Sequence, residues 1–300
     1  MQDHVLRVEE FPVPDGGTLL ADYTRSVGGV AANTATGLAR LGINVVMGTS
    51  VGRDSSGVSI TRAMKAEGVS VLGVSEKAVS SASYVVVDSS NKTRRWFAYL
   101  GSLLDATWQD AWAEVLQASM LLFVDGQPAR LTLGGLWAAS ELGIRTALDI
   151  SSEEYFYSVG WTREDLFRVI GEVDMLLPSV AAARSLAGTE DAESACRMLS
   201  SICGGEVVVT EGQYGAVVGG KSEGWRIAAP DVEPVDTTGA GDAFHAGYIF
   251  GRLAGETTVR SGCIGSQVAG SAVRAVGGQT GLPYLRDLDR VATPDVVRLW

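Results

Sequence analysis

Basic blocks, paired cysteines and long apolar runs are all missing from this sequence, and each absence removes a class of function. Acidic residues outnumber basic ones, 35 to 24, for a net charge of −11. With no cluster of Lys or Arg, neither a nucleic-acid nor a membrane partner is expected. Cys196, Cys203 and Cys263 are odd in number and lack the paired spacing of a metal site. They are expected as reduced, buried thiols of a cytoplasmic protein. His4 and His245 stand too far apart to suggest a metal cluster. No apolar run reaches the roughly 20 residues of a membrane span, and no secretory signal is read at the N-terminus.

What the sequence holds is an apolar fraction of 46% and 37 glycines among 300 residues, which suits one large α/β domain. Strand patterns at 45–49, 120–124, 145–149, 175–177 and 206–210 alternate with helix patterns at 32–41, 56–66, 131–142, 163–170 and 192–202. Such alternation predicts a mainly parallel sheet with helices on both faces and ligands beyond the carboxyl ends of its strands. Two further pieces read differently. Extended stretches at 5–8 and 19–23, broken by Pro12, Pro14, Gly16 and Gly17, and a hairpin at 83–88 and 94–100 turning at Asn91 and Lys92, are expected to pair as a separate small sheet.

Residues 236–247, DTTGAGDAFHAG, carry the most chemistry. They run into a helical pattern at 243–253, and a helix start offers unpaired amides and the positive dipole end to an anion. Gly239 and Gly241 would let a phosphate approach the amides of Gly239, Ala240 and Gly241. Asp242 is placed to take a proton from an attacking hydroxyl. The plainer alternative is a capped helix start. Residues 215–222, GAVVGGKS, fit a phosphate-loop pattern, but a strand, a turn at Lys221 and a returning strand are expected there, with no helix to follow.

The whole string 236–247 resembles the second signature of the PfkB carbohydrate kinases, the ribokinase-like family. The first signature is matched by Gly28-Gly29-Val30-Ala31-Ala32-Asn33-Thr34-Ala35, with Leu38-Ala39-Arg40-Leu41-Gly42 and Val51-Gly52-Arg53-Asp54 after it. The resemblance implies a ribokinase-like α/β fold with its core at 28–80 and 102–300 and a discontinuous β lid at 4–27 and 81–101. Most of the family's first core strand is then missing before the lid. It further implies an ATP- and Mg²⁺-dependent transfer of the γ-phosphoryl group to a sugar hydroxyl, with Asp242 as general base and the amides of 239–241 as an anion hole.

Sugar binding falls on Asp3, Gly28, Gly29 and Asn33, although a tight turn and a helix cap are the alternatives for Gly28-Gly29 and Asn33. Nucleotide binding falls on Thr237 and Thr238 and on Thr210, Gly212 and Gly215, which resemble a T-x-G-x-x-G motif. Asp236 and Thr238 fall where relatives hold an activating monovalent cation, K⁺; the alternative for Asp236 is a turn cap. The family's Asn-x-x-Glu, which organises Mg²⁺, is replaced by Ser179 and Ala182, leaving Glu211 as a candidate stand-in. Asp125-Gly126-Gln127-Pro128 and the AFHAG string are similar to the ketohexokinase and sulfofructose kinase branch, which implies that Gln127 faces a ketohexose-like or pentose acceptor; the alternative is a surface glutamine. A nucleoside or 2-keto sugar acid acceptor, the latter read by Arg94 or Arg95, and a non-catalytic ligand-binding role stay open. A homodimer through the lid is expected.

Overall fold

The structure, a computed structural model, describes residues 1–73, 79–91, 93–104, 106–290 and 293–300, with only the backbone of Arg94, Asp289 and Arg290. The expected turn residue Lys92 lies outside the described residues. In chain order the elements are β1 (Gln2–Val8), β2 (Asp22–Val27), α1 (Val30–Arg40), β3 (Val46–Gly48), α2 (Ser55–Ala66), β4 (Ser70–Leu72), β5 (Ala82–Asp88) and β6 (Thr93–Tyr99). Next come α3 (Ala113–Gln117), β7 (Leu121–Val124), α4 (Ala129–Leu142), β8 (Arg145–Ile150), α5 (Glu153–Ser158), α6 (Arg163–Glu172), β9 (Met175–Pro178), α7 (Val180–Ala187) and α8 (Ala192–Ile202). The chain closes with β10 (Glu206–Thr210), β11 (Ala216–Gly219), β12 (Gly224–Ile227), α9 (Ala240–Leu253), α10 (Thr258–Ala272) and β13 (Val296–Arg298).

Among the described residues the large sheet has seven strands in the order β13-β12-β11-β10-β9-β8-β7. It is parallel from β7 to β10 and antiparallel from β10 to β13, so it is mixed rather than mainly parallel. The short β10–β11 and β11–β12 connections explain the change, because only antiparallel neighbours can be joined by a tight turn. Lys221 sits in the second of these turns, with Gly220 N–H donating to Glu223 O at 2.9 Å, and no helix follows.

Side-chain alternation along the strands builds two cores. Leu148, Ile150, Leu176, Val207, Val209 and Val217 point to α4, α6, α7 and α8. Their neighbours Ala147, Met175, Leu177, Val208, Ala216 and Val218 point to α1, α9 and α10. Helices therefore cover both faces, as a sheet buried on both sides requires. α9 lies close against α1, since a Cβ on Gly37 would stand 2.7 Å from that of Ala246.

The separate small sheet has the order β2-β1-β5-β6. β1 pairs parallel to β5 and antiparallel to β2, which joins the two distant pieces of sequence. The strand expected at 19–23 is displaced to Asp22–Val27. The cause is register: Ala21 N–H meets Arg7 O, and pairing to β1 continues from Asp22 onward while the apolar Leu19 stays 91% exposed. Residues 2–8 all belong to this sheet, and β7 forms the edge of the large one. Among the described residues, no helix is long and apolar enough to cross a membrane.

Candidate active site

The carboxyl ends of β7, β8 and β10 bring Asp125, Asp149 and Thr210 toward the start of α9. Gly239 caps α9 in the left-handed region, at φ 73°. A Cβ at this position would stand 2.8 Å from Gly278 Cα and 3.4 Å from Asn33 Nδ2, so glycine is needed for space as well as for conformation. The amide of Ala240 is not open to an anion as expected, because it turns back to Thr237 O at 3.2 Å. The amides of Gly239 and Gly241 meet no backbone carbonyl among the described residues. That of Asp242 belongs to the same first turn, where no helical partner exists. A Cβ on Gly241 would stand 4.0 Å from Thr210 Oγ1, which places the end of β10 across from these donors. Gly212 and Gly215 form the turn after β10, where Gly215 O accepts from Glu211 N–H at 2.7 Å.

Asp242 is held by Asn33 Nδ2, which donates to its Oδ2 at 2.7 Å. Burial, then the neighbouring Asp149, push its pKa up to about 7, against the opposing pull of the Asn33 hydrogen bond and His245. The expectation that Asn33 offers its amide to a polyol is corrected. That side chain is 4% exposed and is spanned between Asp242 and Gln279, whose Nε2 donates to Asn33 Oδ1 at 3.1 Å. Nor is it a helix cap, for it lies inside α1.

On the other wall, Asp3 lies so close to Gly28 that a Cβ there would collide with its carboxylate. Burial, opposed by the Met1 ammonium, pushes Asp3 up to about 6. Gly29 is the cap of α1. Gln127 follows β7; its backbone N–H donates to Asp125 Oδ1 at 3.2 Å and its side-chain Oε1 accepts from Tyr155 Oη at 2.8 Å. The ring of Trp96 on β6 meets Tyr155 edge-on at 5.6 Å. Asp3, Ser83 and Ala98 share one face of the small sheet by register, and Trp96 is two residues from Ala98, so this face looks onto the cleft.

One metal expectation changes. Glu211 accepts from Arg184 at 3.1 Å and from Arg226 at 2.9 Å, so its carboxylate is neutralised by two guanidiniums and is poorly suited to a Mg²⁺ shell. Ser179 caps α7 through Ala182 N–H and donates to Ser151 O, while Ala182 is fully buried. Among the described residues no group of His, Cys, Asp and Glu is placed to hold a metal ion. Asp236 accepts from Thr238 N–H at 2.9 Å and Gly277 N–H at 2.8 Å, tying the approach to α9 to the loop beyond α10.

Asp125, Asp149, Tyr155 and Gln279 were given no role by the sequence alone. Asp125 is pushed up to about 6, chiefly by burial. Asp149 is the penultimate residue of β8, RTALDI, an acid between the apolar Leu148 and Ile150, a signal that could have marked it.

Residues 1–285 match the profile of the pfkB family carbohydrate kinases. The chain is 27% identical over 292 residues to a nucleoside kinase of Methanothermobacter thermautotrophicus, covering 94% of this chain and 89% of that one. It is 29% identical over 297 residues to a fructokinase of Klebsiella pneumoniae, covering 93% and 94%. The fold is shared with Arabidopsis thaliana ribokinase complexed with ribose and ATP, at a TM-score of 0.83 and 20% identity over 96% and 95% of the chains. With the profile spanning nearly its whole length, the chain belongs to the pfkB family of carbohydrate kinases and is a phosphotransferase acting on an alcohol group.

Proposed function

We propose that the chain transfers the γ-phosphoryl group of ATP to a hydroxyl of a small sugar, a ketohexose-like or pentose acceptor. The observation that carries this reading is a carboxylate, Asp242, fixed by Asn33 at 2.7 Å in the same helical turn as open backbone donors. Asp242 accepts the hydroxyl proton, and a base poised near the working pH is well matched to that task. The amides of Gly239, Gly241 and Asp242 hold the charge of the group in transit, as the positive end of α9 favours. ATP supplies the phosphoryl group. Thr210, Gly212, Gly215, Thr237 and Thr238 line its side of the cleft, and Asp3, Gly28, Gly29 and Gln127 the acceptor side.

Among the described residues no group of side chains builds a Mg²⁺ shell; Mg²⁺ keeps most of its waters and would bind through phosphates. A monovalent cation at Asp236 and Thr238 belongs to the proposal as an activator. The small sheet acts as a lid whose cleft face excludes water on closure. Tyr84, Phe97 and Tyr99 are 42%, 61% and 53% exposed, which supports a homodimer through that sheet.

A nucleoside acceptor is the second reading, favoured by the archaeal relative. A 2-keto acid is not favoured by Arg95, which stacks 4.4 Å over the Phe11 ring. ADP release with ATP and Mg²⁺ over a panel of ketohexoses, pentoses, nucleosides and 2-keto sugar acids tests this. Turnover on a ketohexose or pentose is expected. Turnover confined to nucleosides would replace the acceptor, and melting shifts without turnover would replace the activity with a binding role.

A further inference from the structure

His245 and Asp149 form a buried pair that the mechanism above leaves unused. Asp149 points to the α9 side of the large sheet, because Leu148 and Ile150 beside it pack into the opposite core. His245 stands one turn beyond Asp242 on α9, at the i+3 position that shares a face with it. Its Nδ1 is 2.8 Å from Asp149 Oδ2, and the two side chains are 4% and 5% exposed. The separation is that of an ion pair, although the angle is not that of a hydrogen bond. Neither ring nitrogen of His245, nor Asp149 Oδ1, meets a hydrogen-bond partner among the described residues. A carboxylate this deep, with no lysine or arginine paired to it among those residues, is costly unless a positive group lies against it.

Among the described residues the charged groups around Asp242 are few. Asp149 comes from β8, Asp125 from the turn after β7, and His245 from α9 itself; Asp3 and the Met1 ammonium lie beyond Asp125. α1 presents the uncharged Asn33 and Thr34. α10 packs on α9 through Gly265 and Val268, its titratable Cys263 lying in the core. Near Asp242, then, carboxylates crowd together with one imidazole between them.

We propose that His245, paired with Asp149, is a positioning residue that offsets the negative charge beside Asp242 and so keeps that carboxylate available as a proton acceptor. The role given to Asp242 rests on the phosphoryl-transfer reading, while the charge balance itself does not. The opposing directions in which Asp149 and His245 move Asp242 agree with it. Loss of the imidazole leaves Asp149 unopposed, which disfavours the charged form of Asp242.

Carboxyl ¹³C NMR on the ligand-free protein reads the balance without turnover, the Asp242 signal being assigned by its disappearance in D242N. In H245N the Asp242 midpoint should rise by about one pH unit or more, the usual scale for losing an opposite charge a few ångströms away. D149N should leave the midpoint in place or lower it, and H245N/D149N should bring it back toward the unsubstituted value. H245Q, which places its amide differently, should repeat the rise and guards against one variant failing to fold. An unmoved midpoint in the folded His245 variants, or an equal rise in D149N, would overturn the proposal. The acid limb of kcat/KM should follow the same order. Absence of turnover on every acceptor would sink the phosphoryl-transfer reading instead and leave the NMR result to decide this one.

Discussion

A carboxylate is a stronger base near neutral pH when its surroundings raise its pKa toward that range without leaving it protonated. For Asp242 burial and Asp149 act in one direction, and Asn33 and His245 in the other. Asn33 is the partner that touches it, and its own carbonyl is braced by Gln279. Asn33→Ala removes a hydrogen bond that favours the charged form, so the acid limb of kcat/KM should move up by about one pH unit. At pH values below that limb the rate should fall about 10-fold, since one unit corresponds to about 1.4 kcal/mol. A pH–rate profile checks this. A uniform loss with the limb unmoved would assign Asn33 to substrate contact instead.

The start of α9 is where backbone geometry and chemistry meet. Gly239→Ala forces a Cβ against Gly278 at a positive φ, and should destabilise the protein by about 1–3 kcal/mol. Gly143→Ala has a similar φ of 65° with nothing within 4 Å of the added carbon, and should cost less. Denaturant melts of both variants separate crowding from backbone preference, and equal losses would contradict the crowding. The string 236–247 was legible because its residues lie within one turn and one helix start. The strands and helices of the two cores were legible for a similar reason, as alternation along β8 to β11 writes both faces into adjacent residues. β2 was not, because DYTRSV is a largely exposed strand whose place is set by pairing with β1. α10 was passed over; it meets α9 through glycines and small residues, which leave no strong apolar stripe. Asp125, Asp149, Tyr155 and Gln279 come from two strand ends, a short helix and the loop beyond α10, so no local pattern announces them.

At the scale of the whole molecule, the cleft concentrates acids whose charge the fold opposes. Asp242, Asp125 and Asp3 are raised from 3.8 to about 7, 6 and 6, in each case mainly by burial. A carboxyl group raised in the folded state stabilises below its unfolded value and loses that contribution as pH climbs through the folded one. Stability should therefore decline between about pH 4 and pH 7 from these groups, and Asp125→Asn should raise the Tm more at pH 8 than at pH 4. Thermal melts across that range check it, and a gain independent of pH would contradict the assignment. The same cluster is meant to serve catalysis, and the most direct measurement is the turnover of Asp242→Asn beside its ATP affinity. On the acceptor found by the panel, kcat should fall by about 10²–10⁴-fold while ATP binding is kept. Turnover equal to that of the unsubstituted chain would show that Asp242 is not the base.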